Sequence, residues 1–199
     1  MRLKLLDVPY IKQRPELPSG CEVTALAMAL SYYGEAVDKL SLVREMPMDK
    51  TSVERNEDGT IRIWGDPEDG FVGDPFDNGI TINPNPLKQV ADKHRPGSLA
   101  LYGETFDVVE THVSNNQPVL VWFTIHHEMP TPRIWHTPTG KIVQAPRPLH
   151  CIVVTGVDDG YVYFHDCEST EKSGEHIKVE KAHFTHIYDA MGRRALVIT

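Results

Sequence analysis

DVPYIKQRPELPSGCEVTALAMALSYYG, residues 7–34, decides how this chain is read. Pro18-Ser19-Gly20 interrupts whatever precedes it, because proline fixes its own φ and removes a backbone donor. Directly after it, Val23, Leu26, Ala27, Leu30 and Tyr33 recur at helical spacing. The pattern predicts a helix through EVTALAMALSYYG, with Gly34 as the residue that stops it. Cys21 then stands at the first turn of that helix. Free N–H groups and partial positive charge at a helix start favour a thiolate, the reactive form of cysteine. The alternative reading of position alone is a small buried residue at a helix start.

Working outward, LKLLDVPYIKQ alternates enough to predict a short strand before the turn, and a second short helix covers Leu40 to Glu45, ending before Pro47. Residues 50–86 are rich in Gly, Pro, Asp and Asn and predict a long loop, ordered by Trp64, Phe71 and Phe76. A helix follows at about Pro86 to Lys93. The last hundred residues read mainly as strands: PVLVWFTI, then a Pro-rich loop through 148, HCIVVTGV, YVYFHDC, a strand and turn in HIKVEKAHF, and RALVIT. Helices first and antiparallel strands second is an α+β pattern. The 199 residues fit one domain, with a helical half over about 1–100 and a strand-rich half over about 101–199.

Bulk properties narrow the function. The formal charge is −8 and no basic stripe is visible, which argues against nucleic acid as a partner. No apolar run is long enough to span a membrane. The three cysteines, Cys21, Cys151 and Cys167, cannot make a disulfide framework, and no CxxC zinc spacing occurs. An odd count leaves at least one thiol free.

The second informative stretch is PLHCIVVTGVDDGYVYFHD, residues 148–166, whose Asp158-Asp159-Gly160 signals a hairpin. If Val157 faces Tyr161, Ile152 faces Asp166 and Cys151 faces Cys167. His150, two residues before Ile152, then shares a face with Asp166 as its diagonal neighbour. A carboxylate there could orient the imidazole. A one-residue slip would separate them. His165 falls on the opposite face. Cys151 and Cys167 lie together on that reverse face, away from His150, as buried thiols or as a cross-strand disulfide. Gln13, just before the Cys21 helix, could offer an amide N–H to a developing oxyanion alongside the Cys21 backbone N–H, or be an exposed loop residue.

Together these stretches resemble the bacterial peptidase family C-thirty-nine-like, relatives of the double-glycine leader peptidases with a papain-like fold. The stretch from Gly20-Cys21 through Gly34 carries the resemblance most specifically. The His150–Asp166 hairpin, FVGDP, the NPNPL helix start and PVLVWFT extend it over most of the chain. It departs from many relatives in having Cys167 after the Asp and Cys151 after the His. The resemblance implies a papain-like cysteine proteinase fold, an N-terminal catalytic helix packed on a C-terminal antiparallel sheet. It implies Cys21 as nucleophile, His150 as general base and acid, Asp166 as its orienting carboxylate and Gln13 as oxyanion donor. The substrate would be a peptide or protein, and no cofactor or metal is called for. Two other classes stay open: a peptide-binding module that has lost turnover, and an acyltransferase using the same thioester. The family points to the cell envelope or secretion, while MRLKLLDVPY carries no export signal and so fits the cytoplasm as well.

Other groupings read as structure. His126, His127 and His136 lack a metal-ligand spacing and read as loop histidines. Asp66, Asp69, Asp74 and Asp77 lack the spacing of a calcium loop and read as turn residues. Trp122 reads as core. Trp64 and Trp135 lie in loops and could face a substrate cleft, as could Phe71.

Overall fold

Helix α1 (Cys21–Tyr32) starts at the residue after Gly20, whose carbonyl accepts from the Thr24 N–H at 3.1 Å and the Thr24 hydroxyl at 2.8 Å. It ends in the expected way. Gly34 takes φ +83°, a value glycine adopts without strain, and its N–H and that of Glu35 satisfy the Ser31 and Leu30 carbonyls. The structure, a computed structural model, describes residues 3–168 and 174–199. The helix is not amphipathic. Every residue from Cys21 to Leu30 is buried, because sheet covers one side while α2 (Lys39–Glu45) and α3 (Pro84–His94) cover another. Ala25, Ala27 and Ala29 keep the helix thin enough to be enclosed. α2 begins with a reciprocal cap between Asp38 and Ser41.

The main sheet has seven strands, labelled here in chain order: β1 (Lys4–Leu5), β2 (Leu99–Tyr102), β3 (Val119–Thr124), β4 (Leu149–Val157), β5 (Tyr161–His165), β6 (Ile177–Glu180) and β7 (Arg194–Val197). Its order is β6-β5-β4-β3-β7-β2, all pairings antiparallel, with β1 added to the end of β4. β3 and β4 are central and buried on both faces, hence their continuous Val/Ile/Leu character. His150 pairs with Phe123, on whose ring Phe184 stacks at 4.4 Å. That face is covered by α5 (Lys181–Ala190). Cys151 pairs with Trp122, whose indole N–H reaches the Thr81 hydroxyl at 3.1 Å and the Ile82 carbonyl at 3.0 Å. That is the face on which α1 packs.

Several expectations need correction. The strand-rich half also holds α4 (Phe106–Ser114) and α5, and β6 runs straight into α5 rather than into a turn. α5 was obscured because His183, Thr185 and His186 dilute its apolar stripe, leaving Phe184, Ile187 and Tyr188 as the buried positions. α3 starts at Pro84, two residues earlier than expected, since proline is well placed in a first helical turn. Both long loops contain short strands: Glu54–Arg55, Ile61–Ile63, Phe71–Gly73 and Gly79–Thr81 in the first, Ile134–His136 and Ile142–Gln144 in the second. Strands of two or three residues are too short for alternation to show. The N-terminal strand is only Lys4–Leu5; residues 6–13 continue as irregular chain, with the Leu6 N–H on the Thr155 carbonyl at 2.7 Å.

The hairpin differs from its expected form in an instructive way. Val157 faces Val162, not Tyr161. The Asp158 carboxylate accepts from the Gly160 and Tyr161 N–H groups and the Tyr163 hydroxyl, drawing the turn in by a residue. A β-bulge between Val154 and Gly156 then takes up one extra residue, so Val154 faces Phe164 and Val153 faces His165. The two one-residue displacements cancel before the strand reaches His150.

Candidate active site

Asp166 follows β5, and its backbone is held on both sides. Its N–H donates to the Gly174 carbonyl at 2.8 Å and its carbonyl accepts from the Tyr10 hydroxyl at 2.9 Å. A Cβ at position 174 would overlap the Asp166 carbonyl oxygen and the Tyr10 hydroxyl, so glycine is needed there for closeness. Its side chain then turns to the face of His150. His150 Nε2 lies 2.7 Å from Asp166 Oδ1, with the imidazole 3% exposed. The same oxygen accepts from the Glu168 N–H at 2.9 Å. An ionised Asp166 makes Nε2 the protonated nitrogen, which leaves the Nδ1 lone pair for chemistry. Burial pushes the Asp166 carboxyl up, but the nearby His127 Nε2, the hydrogen bond and charge of His150 and the Glu168 N–H outweigh it. The net result holds it well below the usual carboxylate range.

His127, read from sequence as a loop residue, belongs to this group. Its Nε2 approaches Asp166 Oδ2 to 3.5 Å, long for a hydrogen bond, and is otherwise without a partner. Its ring meets Phe164 edge-on at 5.0 Å. His126 and His127 have φ of +57° and +56°, a conformation uncommon outside glycine and one that stores strain. No spacing rule marks two successive left-handed residues, so the sequence carried no signal for it.

Cys21 stands at the first residue of α1 as expected, but its surroundings differ. The thiol donates to the carboxylate of Glu22 at 3.3 Å rather than to His150. Glu22 is fully buried, and its other oxygen accepts from the Thr81 hydroxyl at 2.6 Å. Burial, then the charge of Glu22 and the neighbouring thiols, push the Cys21 thiol well above its usual range. Burial likewise pushes Glu22 up, partly opposed by the Thr81 hydrogen bond, its own backbone, the Cys21 thiol and the charge of His150. The helix-start argument for a resting thiolate is therefore corrected: a few partial charges at the helix end do not offset full desolvation and an adjacent carboxylate. Exchanging that carboxylate for a neutral amide in Glu22→Gln is expected to speed iodoacetamide labelling of Cys21 on the order of tenfold at neutral pH. Equal rates in the two proteins would show that burial alone governs the thiol.

The three cysteines are free and buried. Cys151 and Cys167 are buried free thiols rather than a disulfide, and Cys151 lies on the face opposite His150, as the register suggested; that face is the one α1 covers. Cys167 Sγ lies 3.9 Å from the Cys21 carbonyl. Burial comes first in raising both thiols, followed by Glu22 and Cys167 for Cys151, and by Asp166, Glu168 and Glu22 for Cys167. Gln13 is buried, not exposed. Its Nε2 donates to the Pro18 carbonyl at 2.9 Å and its Oε1 accepts from the Cys167 thiol at 3.3 Å. His165 binds the Val8 carbonyl at 2.7 Å on the opposite face from His150.

The remaining candidates settle into structural roles. Among the described residues no group of three or more His, Cys, Asp or Glu side chains is arranged to hold a metal ion. Asp66 and Asp74 cap their own turns through the Glu68 and Phe76 N–H groups. Phe71 and Trp122 are core residues. Trp64 and Trp135 pack together at 5.9 Å in a second, smaller apolar cluster.

The sequence matches the Peptidase_C39 like family over residues 5–196. The chain belongs to that family. It is 32% identical over 203 residues to the uncharacterized protein YvpB of Bacillus subtilis strain 168, covering 98% of this chain and 76% of that one. The fold superimposes on a crystal structure provisionally assigned as a C39-like peptidase from Bacillus anthracis, with a TM-score of 0.86 and 31% identity, covering 100% of this chain and 98% of the other. The fold of this C39-like chain is accordingly the papain-like one, its N-terminal helix packed on an antiparallel sheet. No helix among its described residues is long and apolar enough to cross a membrane.

Proposed function

We propose that this chain is a cysteine peptidase that cleaves a peptide or amide bond through a thioester on Cys21. The observation that carries this reading is the buried 2.7 Å contact of His150 Nε2 with Asp166, in a family-typical fold whose α1 starts at a cysteine. The resting thiol first leaves Glu22 and turns to His150, whose Nδ1 takes its proton. The sulfur attacks the carbonyl carbon. The oxyanion is held by the Cys21 N–H, a first-turn donor with no intrahelical acceptor, and by the second amide hydrogen of Gln13. The imidazolium, stabilised by Asp166, returns the proton to the leaving amine. Water, activated by the neutral imidazole, then releases the acyl group and regenerates the thiol. Metal and cofactor have no part in these steps.

The buried thiol hydrogen-bonded to Glu22 favours a second reading, a peptide-binding module that does not turn over. Mass spectrometry of the protein quenched during incubation with a peptide library separates the two. The peptidase reading expects an acyl adduct on Cys21, removable by hydroxylamine, that disappears as cleaved peptide accumulates. An adduct that passes to added amines rather than to water would make the chain an acyltransferase. Peptide binding with neither adduct nor cleavage would leave only the binding module.

A further inference from the structure

An open groove of about 1380 Å³ lies between the excursion around residues 53–64 and the hairpin around residues 132–147. Its lining includes Ser19, two residues before Cys21, and Arg147, three residues before His150. The groove therefore reaches the two chain segments that lead directly into Cys21 and His150. Ile61, Ile80 and Ile134 supply an accessible apolar part of its wall.

Its charge runs against that of the molecule. The chain carries −8 overall, yet Arg55, Arg62, Arg133 and Arg147 line this groove, with Asp58 as the one acidic side chain in the lining. Asp58 is engaged by the Thr60 N–H at 2.9 Å, and Arg62 is paired with Glu54. Arg133 and Arg147 are different. Thr131 bridges Arg147 and the Ala145 N–H donates to the Arg133 carbonyl at 2.9 Å, so the two arginines are diagonal neighbours on one face of a β-ribbon. Each is anchored through Nε, Arg133 to the Ala145 carbonyl at 2.9 Å and Arg147 to the Thr131 hydroxyl at 3.4 Å. Neither has a carboxylate within ion-pair distance among the described residues. Their terminal nitrogens are left as two forks suited to a planar anion.

We propose that this groove binds the substrate through a carboxylate held by Arg133 and Arg147, so that the preferred substrate is a peptide bearing an anionic residue close to the scissile bond. The proposal rests on the peptidase reading and specifies its substrate. Two like charges on one ribbon face are mutually unfavourable. Burial, then the charge of Arg147, lowers the Arg133 guanidinium to about 10. A bound carboxylate relieves both penalties. The apolar wall beside them gives the flanking backbone and side chains a surface to pack on.

The test uses matched quenched-fluorescent peptides differing only by Glu in place of Gln, each made with a free and an amidated C-terminus. Wild-type protein is expected to show a kcat/KM ratio of on the order of tenfold for Glu over Gln. In Arg133→Gln/Arg147→Gln the ratio falls to near one, and rising ionic strength lowers it in the wild type. Arg133→Lys, which keeps the charge and loses the fork, is expected to give an intermediate ratio. A preference that follows the free C-terminus instead of Glu makes the terminal carboxylate the bound anion. A Glu/Gln ratio that is unity in the wild type for both termini, or that is unchanged in the double variant, overturns the proposal. Fluorescence anisotropy of the same peptides on Cys21→Ala protein separates this from the reaction itself. Selective binding of the Glu peptide without cleavage by the wild type sinks the peptidase reading and leaves the groove intact. Cleavage without selectivity does the reverse.

Discussion

Cys21→Ala is expected, under the proposed thioester mechanism, to lower peptide hydrolysis by at least about 10⁴-fold, because without a covalent nucleophile only binding and oxyanion stabilisation remain. The measurement is kcat on a quenched peptide that the wild type cleaves. Folding should survive. The residue is small, buried at a helix start, and contributes to the native state chiefly the thiol hydrogen bond to Glu22. Losing that bond costs about 1 kcal/mol, and Glu22 keeps its contact with Thr81. Cys21→Ser tests the same point more strictly. It preserves shape and a hydrogen-bond donor but replaces the thiol with a hydroxyl whose proton is far harder to remove. It is expected to be nearly as inactive as the alanine variant. Retention of more than a few per cent of turnover by either variant would remove Cys21 from the mechanism and leave the neighbouring thiols, Cys151 and Cys167, to be examined.

Asp166 gives the second large effect, and its two substitutions separate orientation from charge. Asp166→Ala removes the acceptor of His150 Nε2 and of the Glu168 N–H, leaving both buried or part-buried donors unsatisfied. A loss of about 10³-fold or more in kcat is expected, because the imidazole then has nothing to fix its tautomer and orientation. Asp166→Asn can still present one oxygen to both donors while its amide nitrogen turns toward His127. It keeps the imidazole oriented and loses the charge that stabilises imidazolium. A smaller loss, about 10- to 100-fold, is expected for it. Equal losses in the two variants would mean that charge, not orientation, is what Asp166 supplies. Acid stability provides an independent readout. The folded Asp166 carboxyl titrates below its unfolded value of about 3.9. Its contribution to stability is therefore complete above that pH and is lost as pH falls from there toward the folded value. Wild-type urea midpoints should drop over that acidic range more steeply than those of Asp166→Asn, which has no carboxyl to protonate.

Much of this site was legible in the linear chain, for reasons that are local. The break at Pro18-Ser19-Gly20 and the 3.6-residue recurrence after it locate α1 and put Cys21 at its start, because proline, glycine and helical periodicity act over a few residues. The period of two along a strand puts His150 and Asp166 on one face, and the contact follows. Even so, the pairing was reached through an incorrect turn. The Asp158 turn and the bulge near Thr155 each shift the ladder by one residue, in opposite senses. Neither shift is encoded in hydrophobic alternation. α5 was missed because its polar residues hide a stripe that only β3, β5 and α4 make necessary, through Phe123, Phe164 and Phe106 against Phe184.

Sequence alone determined the element that carries Cys21, the parity of the strands that carry His150 and Asp166, and, through family resemblance, the fold. Those depend on dihedral preferences and periodicities that reside in short segments. Only the tertiary structure decided the surroundings of the Cys21 thiol. The Cys21 thiol is pushed well above its usual range because packing from all sides removes water from α1 and because the Glu22 carboxylate is held beside it by Thr81, a residue 59 positions away. The second imidazole on Asp166 and the arginine pair in the groove were decided in the same way. Solvation and charge proximity are properties of three-dimensional surroundings, and a one-dimensional pattern does not contain them.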